Sequence, residues 1–458
     1  MWSTRADAAG LDRAALRVVL LSSLGGALEF YDFVVFGVFG AYISAAFFPA
    51  DNPVVSQVQA LAVFAAGYLA RPVGGLVFGR RGDRQGRRGS FLLSLGAMSA
   101  ATAAMGLVPG YATGGLASTV IFVLLRLVQG FCLGGELPAA ITYVVEVAPR
   151  RHAALACGLV FGCVSAGVLL ATGVSQALHL LLGSAGMVTW GWRVAFLTGG
   201  LLGGVSWLLR RSLEESPAFL RMKARLRRDT PSGSAAGPLT KLMQAHRARL
   251  LAGVVATGVV PTFNGLLFAH MGGYLVRLLS YPPASVAAGL NIAAAATAIT
   301  LVIACLVADR WSPLGMFRIG CAMLALGAVP AYLALVAHEL PLGIMFLLIG
   351  LSACFTHGTF AFLLADLFPT EVRLSGVALA MNLGAVVFSA LGPLLAGMLI
   401  LWTGWLAVPG TLVAAAAVLA LGASVVLPGL SGQLERPAMG RYPPVERVGA
   451  SDRSHGGE

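Results

Sequence analysis

Gly79–Arg88, GRRGDRQGRR, places five arginines and one aspartate between two long apolar runs. On one side lies 58–79, in which Arg71 is the lone charged residue; on the other lies 90–108, which has none. Each run is about as long as the 20 residues that cross a bilayer core. The charged decapeptide therefore reads as a short loop on one face of a membrane.

Counting outward from this loop gives twelve apolar spans: 18–47, 58–79, 90–108, 119–148, 153–182, 192–209, 249–276, 284–307, 315–337, 340–367, 374–401 and 405–428. The composition agrees. Of the 458 residues, 58% are hydrophobic and 11% charged, against roughly 25% charged in an ordinary soluble domain. The first run is too long for a signal-peptide core and lacks a cleavage site, so it stays as helix 1.

A formal net charge of +12 would suit a nucleic-acid binder only if the basic residues shared one soluble face. They fall instead in alternate loops: Arg80–Arg88, Arg150 and Arg151, and 210–248, with Arg193 and Arg277 alone on the opposite side. Loops rich in Lys and Arg stay cytoplasmic. Both termini are therefore expected inside a bacterial inner membrane, and nucleic acid is excluded as a partner. All six cysteines lie within apolar spans without a CxxC spacing, as packed free thiols do.

The longest break follows helix 6 and divides the chain into six helices (1–209), a cytoplasmic linker (210–248) and six more (249–428). A Pro-, Gly- and Ser-rich tail, 429–458, is expected to be disordered. The halves share a pattern. Asp83-Arg84 recurs as Asp309-Arg310, 226 positions later, and Glu146 with Pro149 recurs as Asp366 with Pro369, 220 positions later. Duplicated six-helix units are how many secondary transporters are built, with the substrate held near the midplane between them. The fold expected is all-α, twelve transmembrane helices in two six-helix pseudo-repeats.

Gly79–Arg88 also resembles the G-x-x-x-D-R-x-G-R-R loop of the major facilitator superfamily at every fixed position. LEFYDF at Leu28–Phe33, YLARPVGG at Tyr68–Gly75, RLVQGFCLGGE at Arg126–Glu136, WGWRVAF at Trp190–Phe196 and RRSLEESPAF at Arg210–Phe219 are similar to the metabolite:proton symporter family within it. In the second half DLFPTEVRLSG, Asp366–Gly376, matches best. Departures are Cys305 for the first loop glycine, Ser312, Pro313 and Leu314 for Gly-Arg-Arg, Ala153 where relatives often have arginine, and Pro138 after GGE.

A charge at the bilayer centre costs at least about 2.5 kcal/mol, so embedded ionisable groups pair or face water. Here they are Glu29, Asp32, Arg71, Arg126 and Glu136. The resemblance implies that Asp32 on helix 1 and Arg126 on helix 4 couple transport to protons; the alternative is a static pair fixing the two helices. Glu29, one turn before Asp32, is a second proton site or a packing residue. Arg71 and Glu136 lie at matching depth on their helices, which suits either a mutual pair or direct contact with substrate, since an arginine binds a carboxylate by two parallel hydrogen bonds.

In the second half Asn264, His270, His357 and Asn382 are the main polar residues within helices, and Pro261 and Gly265 interrupt helix 7 as in the broken helices that line cavities. Asn264, His357 and Asn382 are cavity candidates, with ordinary interhelical hydrogen bonding as the alternative. The resemblance implies a cytoplasmic gate built on Gly79, Asp83, Arg84, Gly86, Arg87, Arg88, Glu146, Glu214 and Glu215, and on Asp309, Arg310, Asp366 and Arg373.

No Walker A segment, HExxH or clustered nucleophile–base set occurs, so neither an enzyme, a metal centre nor a cofactor is expected. The function expected is proton symport of a small organic acid or related polar metabolite by a lipid-embedded monomer. Proton-antiport export is the alternative. Helix 5, GLVFGCVSAGVLLATG at Gly158–Gly173, lacks the proline-containing G-x-x-x-G-P-x-x-G-G stretch that exporters of the superfamily carry.

Overall fold

A computed structural model of the chain describes residues 13–49, 53–229 and 237–432, and within these the secondary structure is helical throughout. The amino-terminal unit contains α1 (Arg13–Val38), α2 (Gly40–Phe47), α3 (Pro53–Gln85), α4 (Arg87–Leu107), α5 (Tyr111–Val147), α6 (Ala153–Gly186) and α7 (Trp192–Arg210). Short helices α8 (Pro217–Asp229) and α9 (Pro238–Ala245) flank the linker. The carboxyl-terminal unit contains α10 (Arg247–Thr257), α11 (Val259–Asn264), α12 (Met271–Arg277), α13 (Pro283–Arg310), α14 (Pro313–Val336), α15 (Leu342–Asp366), α16 (Arg373–Gly384), α17 (Leu391–Thr403) and α18 (Val408–Leu430).

Among the described residues, nine helical segments are long and apolar enough to cross a membrane, or ten with the bent pair α1–α2. One of them, Arg150–Arg210, runs 61 residues, about 90 Å at 1.5 Å per residue and three times a bilayer core. It holds α6 and α7, which separate at Gly183, in the left-handed region at φ 63°, and at the π turn Met187–Gly191. With α3 and these two counted singly, the twelve expected spans are present.

Three spans are irregular. Helix 1, expected as one run over 18–47, turns by 68° at Phe39 to give α1 and α2; no proline marks the bend, only glycines at 37 and 40. Helix 7 is broken as expected, with α11 passing into a π segment at Gly265–His270. Helix 11 has a matching π segment, Ala385–Ala390, and Pro393 follows it in the same span, where it removes the N–H that would bond the Ser389 carbonyl. The two π segments meet, since a Cβ on Gly265 would lie 2.6 Å from the Ser389 carbonyl oxygen.

Small residues bring the helices together, as membrane helices need without a hydrophobic drive between them. A Cβ on Gly79 would stand 2.8 Å from Cα of Ser375, so α3 and α16 touch backbone to backbone. The tail beyond 432, the amino-terminal segment 1–12 and linker residues 230–236 lie outside the described residues.

Candidate functional site

The charged decapeptide sits where α3 ends and α4 begins, and it holds the two units together. Asp83 accepts the backbone N–H groups of Leu374 (3.2 Å) and Ser375 (2.9 Å), the first turn of α16. A carboxylate there satisfies orphan donors and sits favourably at the positive helix end. Its other neighbour is Arg87, whose Nη1 is 3.0 Å from Oδ1. Asp83 lies past the apolar stretch of α3 and is buried. Desolvation pushes its carboxyl up to about 6, against the opposing pull of Arg87 and of the Ser375 and Leu374 donors.

Arg87 is fully buried. It donates to the Gly82 carbonyl (2.8 Å), to the Thr370 carbonyl across the interface (2.6 Å) and to Glu146 (3.3 Å). The same Glu146 oxygen accepts from Arg373 at 2.9 Å, and its other oxygen accepts from the Ser216 hydroxyl. Arg373 also donates to the carbonyls of Ala365 and Phe368. Glu146 thus joins α5, the start of α4, the start of α16 and the linker.

Gly86 connects α3 to α4 at φ 123°, a left-handed conformation that suits glycine; a Cβ there would also run into the Glu215 carboxylate. Glu215 instead accepts the N–H groups of Arg87 (2.8 Å) and Arg88 (3.3 Å), capping α4. Arg88 donates to the Arg211 carbonyl at 2.7 Å, while the Arg84 side chain is exposed. Of the two adjacent glutamates only Glu215 enters this network through its carboxylate. Glu214 is exposed and offers its carbonyl to the Tyr143 hydroxyl at 2.6 Å.

At the second loop Asp309 repeats the helix cap, accepting the N–H groups of Ala154 (2.9 Å) and Leu155 (2.8 Å) at the start of α6. Arg310 is exposed. Asp366 is buried and accepts the Gly432 N–H at 2.8 Å.

The membrane-embedded residues divide into two groups. Asp32 is 2% exposed on α1 and accepts from the Thr102 hydroxyl at 3.1 Å. Thr102 accepts from the Gln129 amide at 2.6 Å, and the Gln129 oxygen accepts from Arg126 at 3.0 Å. The expected Asp32–Arg126 partnership therefore runs through two intervening side chains on α4 and α5, and the Arg126 guanidinium also lies over the Phe36 ring at 4.2 Å. Neither Thr102 nor Gln129 stood out in the sequence. Glu29 is on α1 one turn earlier; its side chain lies outside the described residues.

Glu136 is bound not by Arg71 but by Arg210, at 2.9 Å with both side chains buried. Arg210 also donates to the Leu21 and Ser22 carbonyls, tying the end of α7 to α1 and α5. Arg71 lies over the Tyr68 ring at 4.1 Å. Depth along two helices matches Arg71 to Glu136, yet azimuth decides which side chains meet.

In the carboxyl-terminal unit, His357 and Asn264 meet: Nε2 is 3.1 Å from Asn264 Oδ1, and Nδ1 is 2.8 Å from the Ala353 carbonyl. Phe263 packs edge-on against the imidazole at 5.4 Å. Asn382 does not join them. Its amide donates to Ala378 and, across the interface, to Gly134, both at 2.7 Å. It is an inter-unit tie in the present state. Among the described residues no group of three or more His, Cys, Asp or Glu is arranged to hold a metal ion.

Comparison with known proteins places this architecture. The sequence profile of the Major Facilitator Superfamily matches residues 23–389. The chain is 32% identical over 407 residues to a proline/betaine transporter of Escherichia coli K12, covering 87% of this chain and 80% of that one. It is 29% identical over 418 residues to a citrate-proton symporter of Klebsiella pneumoniae, covering 90% and 92%. A solved structure of the proton:xylose symporter XylE superposes with a TM-score of 0.74 at 17% identity, covering 91% of this chain and 95% of that one; at that identity the likeness concerns the fold.

Proposed function

The chain belongs to the Major Facilitator Superfamily, a family of transporters rather than enzymes, and from this we propose that it imports a small organic acid or related polar metabolite together with protons. The observation that carries this reading is the buried chain Asp32–Thr102–Gln129–Arg126, which links an acid on α1 to a cation on α5. Relatives named as proton symporters add weight.

On this reading the two six-helix units, 1–209 and 249–428, rock about a midplane site, with 210–248 as a cytoplasmic linker and both termini in the cytoplasm of a bacterial inner membrane. The latched end, with Asp83 on α16 and Glu146 on Arg373, is the cytoplasmic gate in its closed state. Protonating Asp32 removes the negative charge at one end of the relay and frees Thr102, Gln129 and Arg126 to rearrange, so proton occupancy biases which side opens. Arg71, with the Asn264–His357 pair, offers donors and acceptors to the cargo.

The test is uptake into proteoliposomes of di- and tricarboxylates, shikimate-like acids and betaines, with and without an imposed pH gradient. Accumulation driven by protons entering with the solute is the expected result; efflux driven by proton entry would replace import with antiport. Asp32→Asn is expected to abolish proton-driven accumulation and to retain solute exchange. If it still concentrates solute, the coupling site moves to Glu29.

A further inference from the structure

α7 packs on its neighbours through the glycines of TGGLLGG, Thr198–Gly204. A Cβ on Gly200 would stand 2.5 Å from Ala103 Cβ, and one on Gly203 would run into the Ser99 hydroxyl, both on α4. Gly199 points at the buried acid instead. A Cβ there would run into Asp32 Oδ1 and would lie 3.0 Å from Tyr31 Cε1 and 3.1 Å from Thr102 Cγ2. The space beside Oδ1 is thus closed by carbon: a bare Cα, a ring edge and a methyl group. Among the described residues Oδ1 has no hydrogen-bond donor, and an ionised carboxylate is costly to bury with an oxygen so placed.

The hydrogen bonds that reach the other oxygen have a fixed direction. A guanidinium only donates, so the Gln129 side-chain oxygen faces Arg126 at 3.0 Å and the Gln129 amide donates to Thr102 at 2.6 Å. The single hydroxyl hydrogen of Thr102 is then offered two acceptors, Asp32 Oδ2 at 3.1 Å and the Met98 carbonyl at 3.0 Å. An ionised Asp32 draws that hydrogen away from Met98 and still leaves Oδ1 without a donor. A proton on Oδ2 satisfies all three groups: Asp32 donates to the Thr102 oxygen, and Thr102 turns its hydrogen to Met98.

We propose that Gly199 is a positioning residue of the proton site, bringing α7 so close to Oδ1 that Asp32 is held in this state as the neutral acid. The proposal rests on the reading of Asp32 as the coupling acid and adds what tunes it: α7 presents carbon where a donor would favour the ion. The other charged and titratable groups around Asp32 have their own places. On α1, Glu29 lies one turn earlier, and Tyr31 donates its hydroxyl to the Ala195 carbonyl at 3.0 Å. On α5, Arg126 acts through Gln129, and Glu136 is paired with Arg210 of α7. Arg193, at the start of α7, donates to the Gly106 and Val108 carbonyls. α4 presents Thr102, its two arginines being in the gate; α6 carries no Asp, Glu, Lys or Arg, and its His179 stacks on Tyr42 of α2.

Infrared difference spectroscopy of the full chain in lipid nanodiscs tests it, with Asp32→Asn identifying the Asp32 bands. Near neutral pH the unaltered protein is expected to show the carbonyl band of a neutral carboxylic acid that Asp32→Asn lacks. Gly199→Ala adds a methyl group without a donor, whereas Gly199→Ser adds the same carbon with a hydroxyl, so the comparison isolates the donor from the displacement. At one fixed pH the ratio of neutral to ionised Asp32 is expected to be at least about tenfold lower in Gly199→Ser than in Gly199→Ala, the factor that one hydrogen bond to a charged group supplies. If both Gly199 variants misfold, the band of the unaltered protein still decides. An ionised Asp32 there near neutral pH, or equal ratios in the two variants, overturns the proposal. The band reports the acid itself, so this outcome is separate from solute accumulation by Asp32→Asn, which tests the coupling reading.

Discussion

Asp83 and Asp309 each accept two backbone N–H groups from the first turn of a helix in the other unit, α16 and α6 respectively, yet their surroundings differ. Around Asp83 stand Arg87, Glu146 and Arg373, all buried, with Glu215 capping α4 from the linker. Beyond Asp309 the chain turns through Ser312, which caps its own helix by accepting the Gly315 N–H at 3.0 Å, and Pro313 occupies the place of Arg87. The capping carboxylate occurs in both loops, and the Arg87–Glu146–Arg373 cluster belongs to the first. Capping is a backbone transaction that any helix start admits; a buried four-charge cluster needs every partner present. The two loops are therefore expected to hold the two units together unequally.

Amide exchange at the two capped turns reads this inequality. The largest effect is expected from Arg373→Ala, which leaves Glu146 with one guanidinium fewer in a buried site. Breaking such a pair costs about 3 kcal/mol, roughly a hundredfold faster exchange at 374–375. Asp83→Asn is expected next, at about 2 kcal/mol for a lost charge-assisted cap and ion pair, with net uptake falling far more than equilibrium solute binding. Lost binding in a folded protein would argue against the gate role proposed for Asp83. Asp309→Asn is expected to speed exchange at 154–155 by less than about tenfold, near 1 kcal/mol for a helix cap. An effect as large as that of Asp83→Asn would make the loops equivalent. The smallest effect is expected from Lys241→Ala, since the Lys241–Glu371 pair is 34% and 42% exposed and such pairs contribute about 0–1 kcal/mol. Separately, a cysteine at position 228 is expected to resist periplasmic thiol reagents, and ready labelling would invert the topology.

Much of this was legible in the sequence because span length, loop charge and the repeated Asp83/Asp309 and Glu146/Asp366 positions are one-dimensional signals. The break in helix 7 was legible from Pro261 and Gly265 for the same reason. Arg210 was not. It opens a basic stretch and so reads as a loop anchor, while its burial against Glu136 depends on how α7 leans on α1 and α5. Thr102 and Gln129 look like ordinary helix polar residues, and Thr102 indeed also bonds the Met98 carbonyl one turn back; their linkage appears only when α4 and α5 are set side by side. The choice of Glu215 over Glu214 rests on the path of the chain after α7, and the use of Asn382 as a tie rests on how α16 packs against α5.

The sharing of Glu146 between Arg87 and Arg373 has an electrical consequence. Closed, Asp83, Glu146, Arg87 and Arg373 sum to zero. On the proposed reading, opening carries Arg373 away with α16 and leaves Asp83, Glu146 and Arg87 behind, so two opposite unit charges are pulled apart into water. The attraction that draws them back acts over the Debye length, about 8 Å at physiological salt and shorter in concentrated solution. If this end is the cytoplasmic gate proposed above, re-closure is expected to slow as cytoplasmic ionic strength rises, coupling the working cycle to the salt content of the cell through a capacitor of four side chains.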